Sequence, residues 1–206
     1  MCQAAGVLPG YLGESMQLYG STSSPFVRRL RLLLAERPHE FISLNIFESA
    51  DRERLIALNP TRKVPMLSDG EQVVFDSGVI YRYLTQKFAL SPLSWPQENL
   101  LTIINAANDS LVELLLCKRS GFDVRDNKLF FNLQHERVQA TLKILNSKVS
   151  AGEFQQWDYL SMSLYCLVDW ICFRELVDMQ PFGALLQFKI AHQDEVGVAE
   201  TDPRLG

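Results

Sequence analysis

Apolar and polar residues follow one kind of pattern in the first half of this chain and another in the second. The first half opens on a short apolar run, Leu18 and Tyr19, which breaks at Gly20 and gives way to small hydroxyl residues from Ser21 to Ser24. From Pro25 onward, Phe26, Leu30, Leu33 and Leu34 recur at the i, i+4, i+7, i+8 spacing of one helix face. Ser24 stands where an N-cap belongs and Pro25 where the first helical residue belongs, so a strand leads into a helix whose N-terminus presents hydroxyls. Unpaired N–H groups and the macrodipole make such an end receptive to an anion, including a thiolate. On this stretch alone, a plain helix cap is the simpler reading of Ser24.

The remaining elements follow from the same reasoning. Arg37-Pro38 ends the first helix, because proline disfavours helical geometry in the residue before it. Residues 41–46 alternate and predict a strand with one buried face; residues 49–58 predict a short charged helix stopped by Asn59-Pro60. Two apolar runs around Asp69-Gly70 predict a hairpin, and Asp76-Ser77-Gly78 precedes a helix with Val79, Ile80, Tyr83, Leu84 and Phe88 on its apolar side. The order β-α-β-α-β-β-α predicts parallel first and second strands with a right-handed crossover, and an antiparallel hairpin at the other side of the sheet. Residues 90–97 hold Pro92 and Pro96 and read as a linker. Beyond them only helices are expected, at 98–117, 128–149, 158–176 and 180–191, the third apolar on most sides and therefore buried. The expected division is an N-terminal extension (1–15), an α/β domain (16–89), a linker (90–97) and an all-helical domain (98–206).

Composition narrows the function classes. The 206 residues are 47% hydrophobic and 21% charged, ordinary globular values. A net charge of −4 without a polybasic patch argues against nucleic acid as a partner. Arg28, Arg29 and Arg31 read as a solvated helix face with room for one internal ion pair. Cys2, Cys117, Cys166 and Cys172 form no CxxC pair and have no His at metal spacing, so no metal is expected. Scattered thiols suit a reducing cytoplasm better than a disulfide scaffold. His39, His135 and His192 are too dispersed for a triad and read as surface residues, while Trp95, Trp157 and Trp170 read as core or rim. No apolar run reaches the eighteen or so residues of a membrane span, so no membrane is expected as a partner. The first fifteen residues lack the basic start of a signal peptide; an extension or an alternative start at Met16 both fit.

Three segments, LYGSTSSPFVRRLRL, NPTRKVPML and DSGVIYRYL, stand in an order and at a spacing that resemble the thioredoxin-like N-terminal domain of the glutathione S-transferase superfamily, Ser/Cys type, with a helical half behind it. The resemblance implies a thioredoxin-like α/β domain followed by an all-α domain, and glutathione as co-substrate. It implies that Pro65 is cis and turns the backbone of Val64 to pair with the cysteinyl backbone of glutathione like an added strand. Ser77 and the free N–H groups of the third helix would hold the γ-glutamyl carboxylate, Asp76 the ammonium, and Lys63 a carboxylate. Ser24 matches the catalytic position, where a hydroxyl stabilises the glutathione thiolate; Ser23 ranks second. A Ser here favours conjugation to a small hydrophobic electrophile, or peroxide reduction, over the mixed-disulfide chemistry of a Cys. A homodimer, a cytoplasmic location and a role in detoxification are implied in the same way. Asn105, Asp109 and Glu113 lie where the second substrate binds in relatives, without an assigned role.

Two departures stand against this pattern. Arg62 occupies a position where the family commonly has Gly, leaving crowding or a second positive contact both open. The capping box of the buried helix is swapped, with Asp158 first and Ser161 third. Both favour the alternative, a non-catalytic binding or regulatory protein of the same fold.

Overall fold

The first strand among the described residues is one of the two inner strands of the sheet. The computed structural model describes residues 15–205, so all of the expected extension except Ser15, and Cys2 with it, lies outside the described residues. Strand β1 (Gln17–Gly20) leads into helix α1 (Pro25–Leu33), followed by β2 (Glu40–Ser43), α2 (Ser49–Leu58), β3 (Met66–Asp69), β4 (Gln72–Phe75) and α3 (Ser77–Lys87). The sheet order is β2-β1-β3-β4, with β1 parallel to β2 and antiparallel to β3, and β3 antiparallel to β4. Successive side chains of a strand face opposite sides. Leu18 therefore packs with Leu30, Leu34 and Ile80 of the main core, while Tyr19 packs with Leu44, Leu55 and Met66 of a smaller one. Gly20 is required by space: a Cβ there would stand 2.4 Å from Cγ2 of Val27.

The remaining helices are α4 (Trp95–Arg119), α5 (Leu129–Ser150), α6 (Tyr159–Arg174) and α7 (Gly183–Ala191), with a final 3-10 turn at Pro203–Leu205. The architecture is a thioredoxin-like N-terminal domain joined to a helical C-terminal region. Every residue of α6 from Tyr159 to Ile171 is buried, and α6 packs directly on α1. Asp158 caps it by accepting from the Ser161 N–H at 3.0 Å. By length and composition α4 would cross a membrane, which the reading by apolar runs did not anticipate. Here its Leu100, Leu101, Ile104, Ala107, Leu111 and Leu114 are buried inside the protein.

Several element ends differ from expectation for local reasons. Helix α1 stops at Leu33, and the chain tightens into turns in which Ala35 N–H meets Leu32 O and Arg37 N–H meets Leu34 O. Strand β2 ends at Ser43 because β1, its sole partner, ends opposite it at Gly20; Phe41 and Ile42 are only half-buried on this edge strand. Helix α4 begins at Trp95, three residues before expectation. Gln97 Oε1 accepts from the Ser94 N–H at 2.9 Å, and Pro96 falls in the first turn, where proline is tolerated. Helix α7 begins at Gly183 rather than 180. His192 is half-buried, stacked on Trp157 at 5.2 Å, instead of lying on the surface.

The largest correction concerns the arginines of α1. Arg28 and Arg29 are 3% and 2% exposed, not a solvated face, because α1 is covered by the sheet on one side and by α6 on the other. Arg28 meets Asp169 of α6 at 2.5 Å, donates from Nε to Thr201 Oγ1 at 3.2 Å and from Nη2 to Val198 O at 3.1 Å. Asp169, itself 2% exposed, also accepts two bonds from Arg204, at 3.0 and 3.1 Å, and has Lys189 at 3.6 Å. Burial alone would raise the Asp169 carboxyl, but the hydrogen bonds from Arg204 and the charge of Arg28 hold it below the ordinary aspartate value.

Removing one partner of a buried ion pair strands the other charge, at a cost of about 3–5 kcal/mol. Asp169→Asn is therefore expected to lower the unfolding free energy by about that amount in urea titrations at neutral pH. The lowered folded-state pKa means that Asp169 contributes stability above the ordinary aspartate range of about 4, and that this contribution is lost as the pH falls below it. Acid unfolding of the Asn variant should lack that component.

Candidate functional site at one end of the sheet

Strand register brings three sequence-distant segments to one edge. Tyr19 lies opposite Met66 and Met66 opposite Phe75, so the end of β1, the start of β3 and the end of β4 share that edge. Just beyond them lie Ser21 to Ser24, Val64-Pro65, and Asp76-Ser77. The Val64–Pro65 bond is cis, as expected. Buried Asn59 shapes the loop before it: its Nδ2 donates to Lys63 O at 2.7 Å, and its Oδ1 accepts from the Thr61 N–H at 2.9 Å and the Thr61 hydroxyl at 2.8 Å. Arg62 has φ 56°, the left-handed region in which a Cβ costs energy and glycine does not. That conformation accounts for the glycine expected there. Arg62 and Lys63 are both exposed, and among the described residues the Lys63 ammonium has no hydrogen-bond partner.

Ser24 is the N-cap of α1, with extended backbone at φ −85° and ψ 123°. Its Oγ accepts from the Val27 N–H at a long 3.4 Å, which leaves its O–H free to donate. The Ser23 hydroxyl instead lies 3.2 Å from that of Ser21. Ser24 lines a crevice, too tight for a water molecule, with Arg28, Cys166, Trp170 and Pro203. Burial pushes the Cys166 thiol up to about 12, so it stays protonated beside Ser24.

Asp76 caps α3: one of its oxygens, Oδ1, accepts from the Gly78 N–H at 2.8 Å and the Val79 N–H at 3.2 Å, and its backbone sits at φ 69°. The carboxylate is exposed, with Oδ2 left over. Ser77 is buried at 3% exposure, and its hydroxyl accepts from Arg29 Nη2 at 2.9 Å. Its carbonyl accepts from the Tyr159 hydroxyl at 3.1 Å. Burial raises the Tyr159 phenol to about 12 against the pull of Arg29, so it remains a donor.

Arg29 is the residue that sequence reasoning missed. It donates to Asn105 Oδ1 at 2.7 Å as well as to Ser77, stands 4.6 Å from the Phe26 ring centroid, and its Nε has no hydrogen-bond partner among the described residues. No carboxylate among those residues forms an ion pair with it. The available signal was spacing: position 29 is three after Phe26 and four before Leu33, inside the apolar stripe of α1. Asp109 of α4 lies within electrostatic reach of Arg29, Lys63 and Asp76. Burial holds its carboxyl above the ordinary value, opposed by Arg29 and Lys63 and reinforced by Glu113 and Asp76. Among the described residues no His/Cys/Asp/Glu cluster can hold a metal.

The sheet, the cis-proline loop and the capped third helix define a thioredoxin-like domain with an anion-receptive edge. Residues 18–92 match the family model described as glutathione S-transferase, N-terminal domain. Among curated proteins the chain is 35% identical to glutathione S-transferase 3 of Zea mays over 77 residues, 36% of this chain and 35% of that protein. The chain thus spans about a third of that relative's length. It is 26% identical to an uncharacterised glutathione S-transferase-like protein of Escherichia coli over 173 residues, 78% of this chain and 84% of that one. A glutathione S-transferase of Methylobacillus flagellatus, solved with glutathione bound, superposes with a TM-score of 0.78 at 18% identity, covering 91% of this chain and 98% of its own. A glutathione transferase family member of Pseudomonas fluorescens, also with glutathione bound, gives 0.74 at 21%, with the same coverages. Residues 18–92 thus carry a glutathione S-transferase N-terminal domain, and the chain as a whole has the fold of solved glutathione S-transferases.

The close approach of Gly20 to Val27 fixes where α1 begins. Gly20→Ala should force the first turn of α1 away from β1 and cost about 1–3 kcal/mol, read from chemical unfolding.

Proposed function

We propose that this protein is a glutathione transferase in which Ser24 orients and stabilises the glutathione thiolate. The observation that carries the reading is the convergence, at one edge of the sheet, of the Ser24 cap, the Val64 backbone before a cis-proline, and the start of α3. The tripeptide would pair its cysteinyl backbone with Val64, beside Pro65, in the manner of an added strand. Its γ-glutamyl carboxylate would meet Ser77 and the N-terminus of α3, with the buried charge of Arg29 directly behind the Ser77 hydroxyl. Asp76 keeps one carboxylate oxygen for the ammonium, and exposed Lys63 is available to the other carboxylate.

Thiolate stabilisation then follows from magnitudes. A hydrogen bond to a charged partner is worth about 1.5–3 kcal/mol, and a helix N-terminus about 0.3–2. At 1.36 kcal/mol per pKa unit, the two lower the thiol pKa by roughly one to three units, enough to populate thiolate at neutral pH. The thiolate sulfur would add to the electrophilic carbon of a small hydrophobic substrate, the S–C bond forming as the π bond of an activated double bond breaks and its electron pair takes up a proton from solvent. With a peroxide, two glutathiones would be oxidised to the disulfide as the O–O bond is reduced to alcohol and water. A homodimer fits the exposed apolar side chains Val73, Val79, Leu116 and Leu133, which a second copy would cover. A cytoplasmic, detoxifying role is part of the same reading.

A second reading is favoured by one finding: a stringent starvation protein A homolog of Coxiella burnetii is 35% identical over 78 residues, the same identity as the maize transferase over a similar span. In that reading the fold binds a partner and performs no transfer.

Calorimetry with glutathione on wild type and Ser24→Ala, with thiol ionisation followed by ultraviolet absorbance, separates the two. Binding should change less than about threefold in the variant while the bound thiol pKa rises by roughly one to two units. Absence of binding by either protein at millimolar glutathione would sink the transferase reading.

A further inference from the structure

The chain after α7 turns back along α1 from the helix's end to its beginning. Gly197 lies against Leu32 and Ala35 so closely that a Cβ would stand 2.7 Å from Cβ of Ala35. Further on, Glu200 O accepts from Arg31 Nη2 at 3.2 Å, and Val198 O and Thr201 Oγ1 accept from Arg28. Pro203 then reaches the crevice that Ser24 lines. From the next residue, Arg204 returns a forked pair of hydrogen bonds to Asp169, the carboxylate that also holds Arg28.

We propose that residues 197–205 are a strap that holds the first turn of α1 in register, and that Arg204 is a positioning residue for Ser24. The inference rests on the transferase reading above for its chemical consequence, though not for its geometry. Arg28 lies one helical turn beyond Ser24, and three of its donors are fixed by the strap and by α6. Displacing the strap therefore releases the turn that aims the Ser24 hydroxyl. The cluster also places three cations, Arg28, Arg204 and Lys189, around two carboxylates, Asp169 and Asp202. Of these cations Arg28 lines the crevice with Ser24, and its charge, held in place by the cluster, favours an anion at the Ser24 hydroxyl. The strap leaves Val64, Asp76 and Ser77 untouched, so binding of the tripeptide and ionisation of its thiol should separate.

The test compares Arg204→Gln and Arg204→Lys with wild type in the full chain, reading glutathione affinity, the bound thiol pKa, and amide hydrogen exchange of residues 21–27 without ligand. For Arg204→Gln, the thiolate fraction at pH 7 should fall roughly three- to tenfold with affinity changed less than about twofold. Exchange at residues 21–27 should quicken by about tenfold, while core amides of α5 keep their protection. Arg204→Lys keeps the charge without the fork and should recover part of the ionisation but little of the exchange protection. Unchanged ionisation and unchanged exchange at residues 21–27 in Arg204→Gln would overturn the proposal, even if global stability fell. If wild type fails to bind glutathione, the transferase reading falls, and the exchange measurement still decides whether the strap holds this turn.

Discussion

Two guanidinium groups carried into the interior by one short helix set the constraint that organises this molecule. A buried cation is tolerated only when its hydrogen bonds and charge are answered nearby. Arg28 finds its answer in Asp169 of α6 and in the chain that follows α7; Arg29 finds neutral partners in Ser77 and Asn105. The helical region therefore does more than cover an apolar face of the sheet. It supplies the polar groups without which α1 could not be buried, and so fixes the helix that Ser24 caps.

The two arginines are not equivalent. Arg28 is compensated by a carboxylate, and its environment is closed by the strap. Arg29 is held by hydrogen-bond acceptors without a paired charge among the described residues, next to a helix N-terminus that also favours anions. An interior cation left in this state is stabilised by any anion that arrives at Ser77. The proposed glutathione site thus draws on a buried charge, Arg29 of α1, as well as on exposed Lys63 in the loop before β3.

Much of the fold was legible in the sequence because local signals and global topology agree. The 2-residue and 3.6-residue periods, the Asn59-Pro60 stop and the Asp69-Gly70 turn each mark an element that the structure contains, and residues 49–58 form a helix with the expected ends. Element ends were less legible where a side chain decides them: Gln97 folding back on Ser94 turned a proline-bearing linker signal into a helix start. The positions proposed for the site were legible as motifs, and the cis bond at Val64–Pro65 is present. What was hidden were interactions between residues far apart in the chain. Arg28 and Arg29, next to Arg31 on a short helix, look solvated until α6 is known to lie on top of them; Asp169 stands 141 residues after Arg28. Arg29 and Tyr159 carry no motif; only their packing places them behind Ser77.

The central claim is that the sheet edge beside Ser24, Val64 and Ser77 is a glutathione site. A crystal structure of the protein grown with glutathione tests it most directly. The account predicts the tripeptide sulfur within about 3.0–3.6 Å of Ser24 Oγ, the cysteinyl backbone paired with Val64, and the γ-glutamyl carboxylate on Ser77. Glutathione bound elsewhere, or an empty edge at saturating ligand, would contradict it.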